Sequence, residues 1–569
     1  MKYIFLDAET DGLDPTVIHC VCCRCDGKEF WTSHPQELQE YIEGNAIVGH
    51  NIIGYDKPVL EKLWGTDFSS CKIVDTLVMS RLADPCRDGG HSLRNWGEYL
   101  RMPKGDQKEF DTFTPEMLEY CQQDVKITEE VFKRLSLDLE DFSELSLDLE
   151  HDVQILISHQ IKHGWMIDEK HAFLLLAELK EKKHDIEDKV LQTFKPLPVF
   201  IKKITPKTKK DGKISVVGLK FLGDAWEFVG GDFSRIDYEQ FNLGSRQQIG
   251  RYLQYFGWKP EKFTETGQPV VDEKVLATIK DIPEAALISE YLTIQKRIAQ
   301  IQSWVDAVQS DGRVHGYVNP NGTITGRMTH SKPNMGQIPA VYSPWGTECR
   351  ECWIVPKGYK LVGMDASGLE LRMLAHYMND KEFTNEILTG DIHKTNQLNA
   401  GLRTRDQAKT FIYAFLYGAG DVKIGNIVGG DAVDGRRLKD KFLKNTPALA
   451  ELRERVGRAA TRGHLYGLDR RRVYVRSEHS ALNTLLQSAG SIVMKKALSL
   501  LSYHADVNNI DYHFVGNIHD EIQTEVRQEM AQQYGTLAVD SIEETGRFFE
   551  LNCPLTGEYK IGDNWAETH

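Results

Sequence analysis

The sequence predicts a multi-domain chain of mixed α/β and α+β architecture. The chain has 569 residues, too many for one ordinary core, so about three or four domains are expected. The opening KYIFLDAETDG reads as a buried strand ending in carboxylates, and a second strand-like run, NAIVGHN (45–51), precedes the turn IGYDKP (53–58). Helical periodicity then takes over across 115–190, as in EMLEYCQQDVKITEEVFKRL and HDVQILISHQIKHG. Strands followed first by turns and then by helices predict an α/β domain over roughly 1–145.

Between 195 and 241 the pattern degrades into Pro, Lys and Gly with short strand-like pieces such as KISVVGLKF. That composition predicts an insertion or a flexible arm. Helical patterning resumes in SRQQIGRYLQYFGW (245–258) and LISEYLTIQKRIAQIQSWV (287–305). From about residue 313 the chain mixes loops, the strand YKLVGMD, further helices and a final hairpin, DYHFVGNIHDEIQTEV. It carries no internal repeat and no low-complexity tail.

Composition points to a soluble globular protein, with 41% hydrophobic and 27% charged residues. No N-terminal stretch resembles a signal peptide, and no run approaches the ~18 apolar residues of a membrane span. The expected location is therefore the cytosol, and no membrane partner is expected. Four of the ten cysteines, Cys20, Cys22, Cys23 and Cys25, fall in the strand-like VIHCVCCRC, and Cys349 and Cys352 form a further pair. A zinc site is conceivable for either group, but small buried residues are the better reading, above all for Cys20, Cys22 and Cys25. The net charge is −14, yet basic residues cluster at 195–220 (Lys195, Lys202, Lys203, Lys207, Lys209, Lys210, Lys213, Lys220) and at Arg470, Arg471, Arg472 and Arg476. Net charge does not locate charge, so composition leaves nucleic-acid binding open.

The most informative stretch is RDQAKTFIYAFLYGAG (405–420), which spaces Arg405, Lys409 and Tyr413 four residues apart. On an α-helix such residues share nearly one face and climb roughly 6 Å per step. Two cations followed by an aromatic ring can track a nucleoside triphosphate from phosphates to base. An ordinary helix with a solvated basic edge would show the same spacing. Elsewhere, KLVGMDASGLELRMLAHY (360–377) and FVGNIHDEIQTEV (514–526) each run an apolar strand into an aspartate, Asp365 and Asp520. A carboxylate at the end of a buried strand is costly unless it is paired or holds a cation. Side by side, two such strands would ligate a pair of Mg²⁺ ions about 3.5–4 Å apart, suited to in-line phosphoryl transfer.

The order DASGLELR, RDQAKTFIYAFLYG and HDE resembles motifs A, B and C of family A DNA polymerases, the DNA polymerase I class. The similarity is closest to the replicative polymerases of T-seven-like bacteriophages. It extends through HGYVNPNGTITGRMTHSKPNMGQIP (315–339), SALNTLLQSAG (480–490) and the terminal NWAETH. The resemblance implies a right-hand polymerase: a thumb over 147–312 with a basic insertion at about 195–241, a first part of the palm over 313–390, fingers over 391–500 with an O-helix-like segment at 405–418, and a second part of the palm over 501–569. It implies that Asp365 and Asp520 ligate two Mg²⁺ ions, Mn²⁺ being a substitute, with help from the Ala366 carbonyl. Glu521 would support the primer end. Arg405, Lys409 and His393 would hold the triphosphate, with Lys409 also placed as general acid. Tyr413 would pack on sugar and base, and Tyr417 would sit near the templating pair. Glu370 would crowd the 2′ position and select deoxyribose. Arg327, Gln487 and His479 would touch primer-template DNA without reading sequence. Tyr rather than Phe at 413 implies ready incorporation of dideoxynucleotides.

A second carboxylate set opens the chain. In LDAETDGL, Asp7 and Glu9 are two apart, so on a strand both point to one face. HNIIGYDKPVL and EYCQQDVKIT follow, carrying Asp56 and then Tyr120 and Asp124 one helical turn apart. The series DxE, HNxxxYD, YxxxD resembles DEDDy 3′–5′ exonucleases, which have a ribonuclease H-like fold. Over 1–146 it implies a proofreading domain in which Asp7, Glu9, Asp56 and Asp124 bind two further metal ions and Tyr120 orients the attacking water.

The reading expects a monomeric phage replicative polymerase acting on primer-template DNA and dNTPs in the cytoplasm of an infected bacterium, with a helicase-primase as a further partner. T-seven-like polymerases capture host thioredoxin, a processivity factor, through a long thumb insertion. The shorter, lysine-rich stretch here favours direct DNA contact, with thioredoxin the minority reading. A single-subunit RNA polymerase shares the palm, but Glu370 and the front domain argue against it. A cellular repair polymerase is a nearer competitor, and the full set of carboxylates argues against a catalytically dead DNA-binding protein.

Overall fold

A computed structural model of the chain describes residues 1–107 and 109–569. Contacts divide it into two compact units, one of Met1–Asp168, Ala307–Val341 and Gly346–His569, the other of Glu169–Asp306 and Tyr342–Trp345.

The first unit opens with five strands, β1 (Tyr3–Thr10), β2 (Ile18–Cys25), β3 (Lys28–Thr32), β4 (Ala46–Gly49) and β5 (Lys72–Asp75), in the order β3-β2-β1-β4-β5. β1 runs antiparallel to β2 and parallel to β4, and β4 runs parallel to β5. The sheet is buried on both faces. Ile4, Leu6 and Ala8 join Val21 and Cys23 on one side, and Phe5 joins Cys20, Cys22 and Val48 on the other. The period of two therefore places Asp7 and Glu9 on the Phe5 side. Helix α1 (Asp56–Trp64) follows β4, and α2 (Pro115–Asp138) packs on β1 and β2. The α2 N-terminus is capped by Thr114, whose hydroxyl accepts from the Met117 N–H, with Pro115 in the first turn. Its register brings Tyr120, Cys121 and Asp124 towards the carboxylate face.

Helix α3 (Glu144–His163) belongs to this first unit, so the second compact unit begins at Glu169, later than the thumb boundary of 147 read from the sequence. The cause is its buried face: Leu149, Val153 and Ile157 join the core that also holds Val362 and Leu498.

The second unit contains α4 (Glu169–Thr193), the hairpin β6 (Leu197–Ile204) and β7 (Phe233–Glu239), α5 (Arg246–Tyr255) and α6 (Glu284–Val305). The long helices α4 and α6 pack together, and the Tyr291 hydroxyl donates to Glu187 at 3.0 Å. An aromatic cluster of Phe194, Phe241, Tyr252 and Phe256 closes the base of the hairpin. The sequence puts strand character at KISVVGLKF, and the structure moves it to the flanks of the insertion. KISVVGLKF itself holds only an isolated bridge, Thr208–Ile214, and the start of the 3₁₀ segment Lys220–Phe228. With Gly212 and Gly218 at positive φ and most side chains exposed, no buried face fixes a register there.

The first unit resumes with the sheet β8 (Tyr359–Ala366), β9 (Tyr512–Ile518), β10 (Glu521–Arg527) and β11 (Gly557–Gly562), ordered β9-β10-β8-β11 and antiparallel throughout. Around it lie α7 (Leu369–Met378), α8 (Ile392–Ala400), α9 (Arg405–Leu416), α10 (Ala481–Val507) and α11 (Ala531–Phe548). α10 is buried on nearly every side, and its Lys495 ammonium donates to Glu150 of α3 at 2.6 Å. Arg471 donates to the same carboxylate and to Asp469. Of the basic cluster at 470–476, Arg471 is therefore an internal tie, 3% exposed, and Arg472 pairs with Asp141 at 2.7 Å.

Candidate active sites

In the N-terminal domain the four expected carboxylates converge. Burial is the main force raising the pKa of Asp7, followed by the charges of Asp124, Asp56 and Glu9. Glu9 is pushed up to about 8 by burial and then by Asp124. Burial likewise lifts Asp56 to about 7, against the Ala8 N–H that donates to it at 3.1 Å. Asp124 is 1% exposed and also raised by burial, and its Oδ1 has no hydrogen-bond partner among the described residues. Three buried acids and the half-buried Asp7, with an orphaned oxygen among them, are the donor set a hard divalent cation takes. Two residues that the sequence reading passed over share the site. Lys104 pairs with Asp124 Oδ2, and its ammonium lies 4.8 Å from the Tyr120 ring centroid. Asp75, 1% exposed, accepts from the N–H groups of Asn51 at 2.8 Å, Leu77 at 2.9 Å and Ile53 at 3.1 Å, which fixes the loop leading to Asp56.

In the second sheet, β8 and β10 lie side by side with Asp365 opposite Glu521, and the Ala366 N–H donates to the Asp520 carbonyl at 3.1 Å. The two sequence-predicted aspartates are thus brought together by strand pairing. Asp365 opens to solvent, yet the surrounding protein first, then Asp520 and Glu521, lift its carboxyl to about 7. That is again the electrostatics of a cation site. Glu521 differs. Burial pushes its pKa up, but His569, Arg350 and Trp565 together hold it below the usual value. Trp565 Nε1 donates to it at 2.6 Å and His569 Nδ1 lies at 3.1 Å. The last residue of the chain thus reaches the strand that carries the acidic motif, a contact no local pattern announces.

Helix α9 buries Ala408, Phe411, Ile412, Phe415 and Leu416. The opposite face presents Arg405 and Lys409 to solvent and leaves Tyr413 half-buried. Thr404 caps it by accepting from the Gln407 N–H. Arg405 Nε pairs with Asp391 at 2.7 Å. Asp391 also caps α8, accepting from the His393 and Lys394 N–H groups at 3.1 and 3.2 Å. His393 is held below the usual imidazole range by burial first, then by the charges of Arg405 and Lys409. Its ring lies 6.3 Å from Tyr413, which lies 6.4 Å from Tyr417. After burial, Glu370 and Asp520 raise the Tyr413 phenol, and Tyr417, just past the end of the helix, bonds to Glu370.

Glu370 accepts from the Tyr417 hydroxyl and lies 3.3 Å from Arg327 Nη2. Arg327, Glu370, Asp520 and Glu521 line one cavity. Gln487 sits half-buried on α10, and His479 is exposed just before it. Among the described residues neither side chain bonds to the Arg327–Glu370 pair. Gly418, at φ +70°, ends α9, and a Cβ there would lie 2.9 Å from the His479 carbonyl oxygen, so glycine lets the chain turn against that segment.

A family model described as DNA polymerase family A matches residues 229–567. The DNA-directed DNA polymerase of Escherichia phage T7 is 35% identical, with 100% of both chains covered. That of Enterobacteria phage T3 is also 35% identical, over 97% of this chain and 98% of the relative. In fold, the chain is similar to the POL domain of Pol1 from M. smegmatis, solved in complex with DNA primer-template and dNTP. The TM-score is 0.80 at 17% identity, covering 99% of this chain and 96% of that one. The multi-domain mixed fold expected from the sequence is thus shared with a family A polymerase domain. The family match begins after the N-terminal carboxylate domain, which stands on its own geometry. From a family match over more than half its length and from full-length relatives, this chain belongs to DNA polymerase family A.

Proposed function

We propose that the chain is a template-directed DNA polymerase with a 3′–5′ proofreading exonuclease, serving bacteriophage genome replication in the cytoplasm of the infected bacterium. The observation that carries the reading is the juxtaposition of Asp365, on β8, with Asp520, in the turn before β10, next to Glu370, which Tyr417 ties to the helix that carries Arg405, Lys409 and Tyr413. The phage relatives named as DNA-directed DNA polymerases support it, as does the neighbour solved with primer-template and dNTP.

In this reading residues 1–146 are the exonuclease, 147–312 the thumb, 313–390 and 501–569 the palm, and 391–500 the fingers. Asp365 and Asp520, with the Ala366 carbonyl, would hold Mg²⁺ at the palm, and Asp7, Glu9, Asp56 and Asp124 would hold it at the front domain. When bound, Mg²⁺, or Mn²⁺ in its place, supplies charge stabilisation to the attacking and leaving oxygens. Arg405 exchanges Asp391 for a phosphate oxygen. That exchange is cheap because the ion pair is solvent-exposed. Lys409 and His393 add cationic and hydrogen-bonding contacts, and Lys409 delivers a proton to the departing pyrophosphate. Tyr413 packs on the sugar and base, and Glu370, held by Tyr417 and Arg327, closes the space a 2′-hydroxyl needs. Arg327, Gln487 and His479 position the duplex, and Glu521 steadies the primer end. In the front domain, Tyr120 orients water towards the scissile phosphate.

The eight lysines of 195–220 are exposed on the insertion, beside exposed Phe200, Phe221, Phe228 and Tyr238. Cations and stacking rings together suit single strands and backbone phosphates, so the arm is assigned to DNA. Titrating thioredoxin into a single-primer extension assay tests this: unchanged product length fits DNA contact, and lengthened products assign the arm to a processivity factor.

Primer extension on a primed template with dNTPs or rNTPs, for the unaltered chain and Asp520→Ala, tests the polymerase. Extension with dNTPs alone that is lost in the variant is expected, and equal use of rNTPs would overturn the reading. Excision of a single-stranded 3′ end, lost in Asp7→Ala while extension survives, tests the exonuclease.

A further inference from the structure

Three thiols from two elements meet beside the N-terminal carboxylates. Cys20 and Cys22 lie two apart on β2, 0% and 1% exposed, and Cys121 comes from α2, 0% exposed. Their sulfur atoms lie within 4.8 Å of one another. The β1–β2 register sets Cys22 opposite Asp7 and Cys20 opposite Glu9, and opposed residues of antiparallel strands share a face. Cys121 Sγ lies 3.6 Å from Asp7 Oδ2, and Asp7, Glu9 and Cys121 form a second group of ligand atoms within 4.8 Å. Soft sulfur donors and hard carboxylate oxygens therefore adjoin, with Cys121 common to both groups.

Packing alone needs only small apolar side chains at these positions. Three sulfurs and one carboxylate oxygen are instead a four-ligand set for a thiophilic ion. Zinc–sulfur bonds of about 2.3 Å and zinc–oxygen bonds of about 2.0 Å, arranged as a tetrahedron, put sulfur–oxygen edges at roughly 3.5 Å and sulfur–sulfur edges at roughly 3.8 Å. The Cys121–Asp7 edge already has that length and the three sulfurs lie within 4.8 Å of one another, so binding has only to draw Asp7 towards Cys20 and Cys22. Asp7 is only partly buried, so an ion can arrive from the carboxylate side.

We propose that Cys20, Cys22, Cys121 and Asp7 form a site for a thiophilic divalent ion, Zn²⁺ or Cd²⁺, and that filling it takes Asp7 away from the Mg²⁺ cluster and stops excision. As each metal–sulfur bond forms, the thiol releases one proton to solvent, and no electron is transferred. The ion-binding part stands on the thiol geometry alone. The effect on excision rests on the exonuclease reading above.

The test titrates Cd²⁺ into the full-length chain with Mg²⁺ present and follows thiolate-to-cadmium charge-transfer absorbance, then measures excision and primer extension on the same samples. The expected result is one tightly bound Cd²⁺ per chain, an excision rate at least about tenfold lower, unchanged extension, and recovery when a chelator removes the ion. Cys22→Ala and Cys121→Val should each weaken Cd²⁺ binding by more than the roughly 10–100-fold that loss of an outer partner costs a metal site. Whatever excision each variant retains should no longer respond to Cd²⁺. Retained extension and a cooperative melt show that the variants fold. Absorbance that persists in both variants, or excision indifferent to saturating Cd²⁺, overturns the proposal. If the ion-free chain shows no excision at all, the exonuclease reading fails, and the absorbance titration alone decides the site.

Discussion

The Tyr417 hydroxyl donates to both carboxylate oxygens of Glu370, at 2.9 and 2.8 Å. Glu370 stands in the first turn of α7 and Tyr417 just past the end of α9, so the bond joins the sheet side of the site to the helix that carries Arg405, Lys409 and Tyr413. It restrains the one side chain assigned to exclude a 2′-hydroxyl.

Glu370→Ala should therefore raise ribonucleotide use relative to deoxynucleotide use by roughly 10–200-fold, the range one small group commands in a pocket. Tyr417→Phe leaves Glu370 with Arg327 alone and should cost about 1 kcal/mol of that discrimination, a several-fold effect. Single-turnover incorporation of matched rNTP and dNTP pairs measures both.

Tyr413 predicts ready use of dideoxynucleotides. Tyr413→Phe should lower dideoxynucleotide incorporation relative to dNTP by at least about tenfold, which is ~1.4 kcal/mol in the transition state. Termination patterns at equal nucleotide ratios report it, and strong exclusion by the unaltered chain would contradict the placement of this helix.

The raised acids make metal-free stability fall with pH. Glu9 rises from 4.5 to about 8, and Asp56 and Asp365 from 3.8 to about 7. A group whose folded pKa exceeds its unfolded value stabilises the fold fully below the unfolded value and loses that contribution as pH climbs through the folded one. His50, lowered by burial from 6.5 to about 3, works against that trend up to about pH 6.5, so the metal-free melting temperature should decline between about pH 6.5 and pH 8. Added Mg²⁺ should raise it more at pH 8 than at pH 5.5. Thermal melts with and without a chelator check both signs.

Lys104 serves the N-terminal carboxylate cluster as an internal cation. Lys104→Met leaves the buried Asp124 without its ion pair and should destabilise the metal-free chain by up to the roughly 3–5 kcal/mol that a broken buried pair costs. Mg²⁺ should recover much of that loss. Melts of the variant against the unaltered chain, each with and without Mg²⁺, separate this from a simple packing defect.

Much of the site was legible because its parts are local. The four-residue spacing of Arg405, Lys409 and Tyr413 needs only a helix, and DxE needs only a strand. The strands that end in Asp365 and Asp520 likewise stand out as apolar runs meeting a carboxylate. Contacts across the fold left no such trace. Cys121 is about a hundred residues from Cys20 and Cys22 and meets them through helix-on-sheet packing. Asp391 meets Arg405 because α8 packs beside α9, and His569 reaches Glu521 from the chain end. The 195–241 insertion misled for the opposite reason. The hairpin β6–β7 has mostly exposed side chains, so no alternation of apolar and polar residues marks its true strands.

The most direct test of the central claim is primer extension and 3′-end excision measured together on the unaltered chain, Asp365→Ala and Asp7→Ala, with Mg²⁺ present. The account predicts that Asp365→Ala abolishes extension and keeps excision, while Asp7→Ala abolishes excision and keeps extension. Loss of both activities in either variant, or of neither, would contradict it.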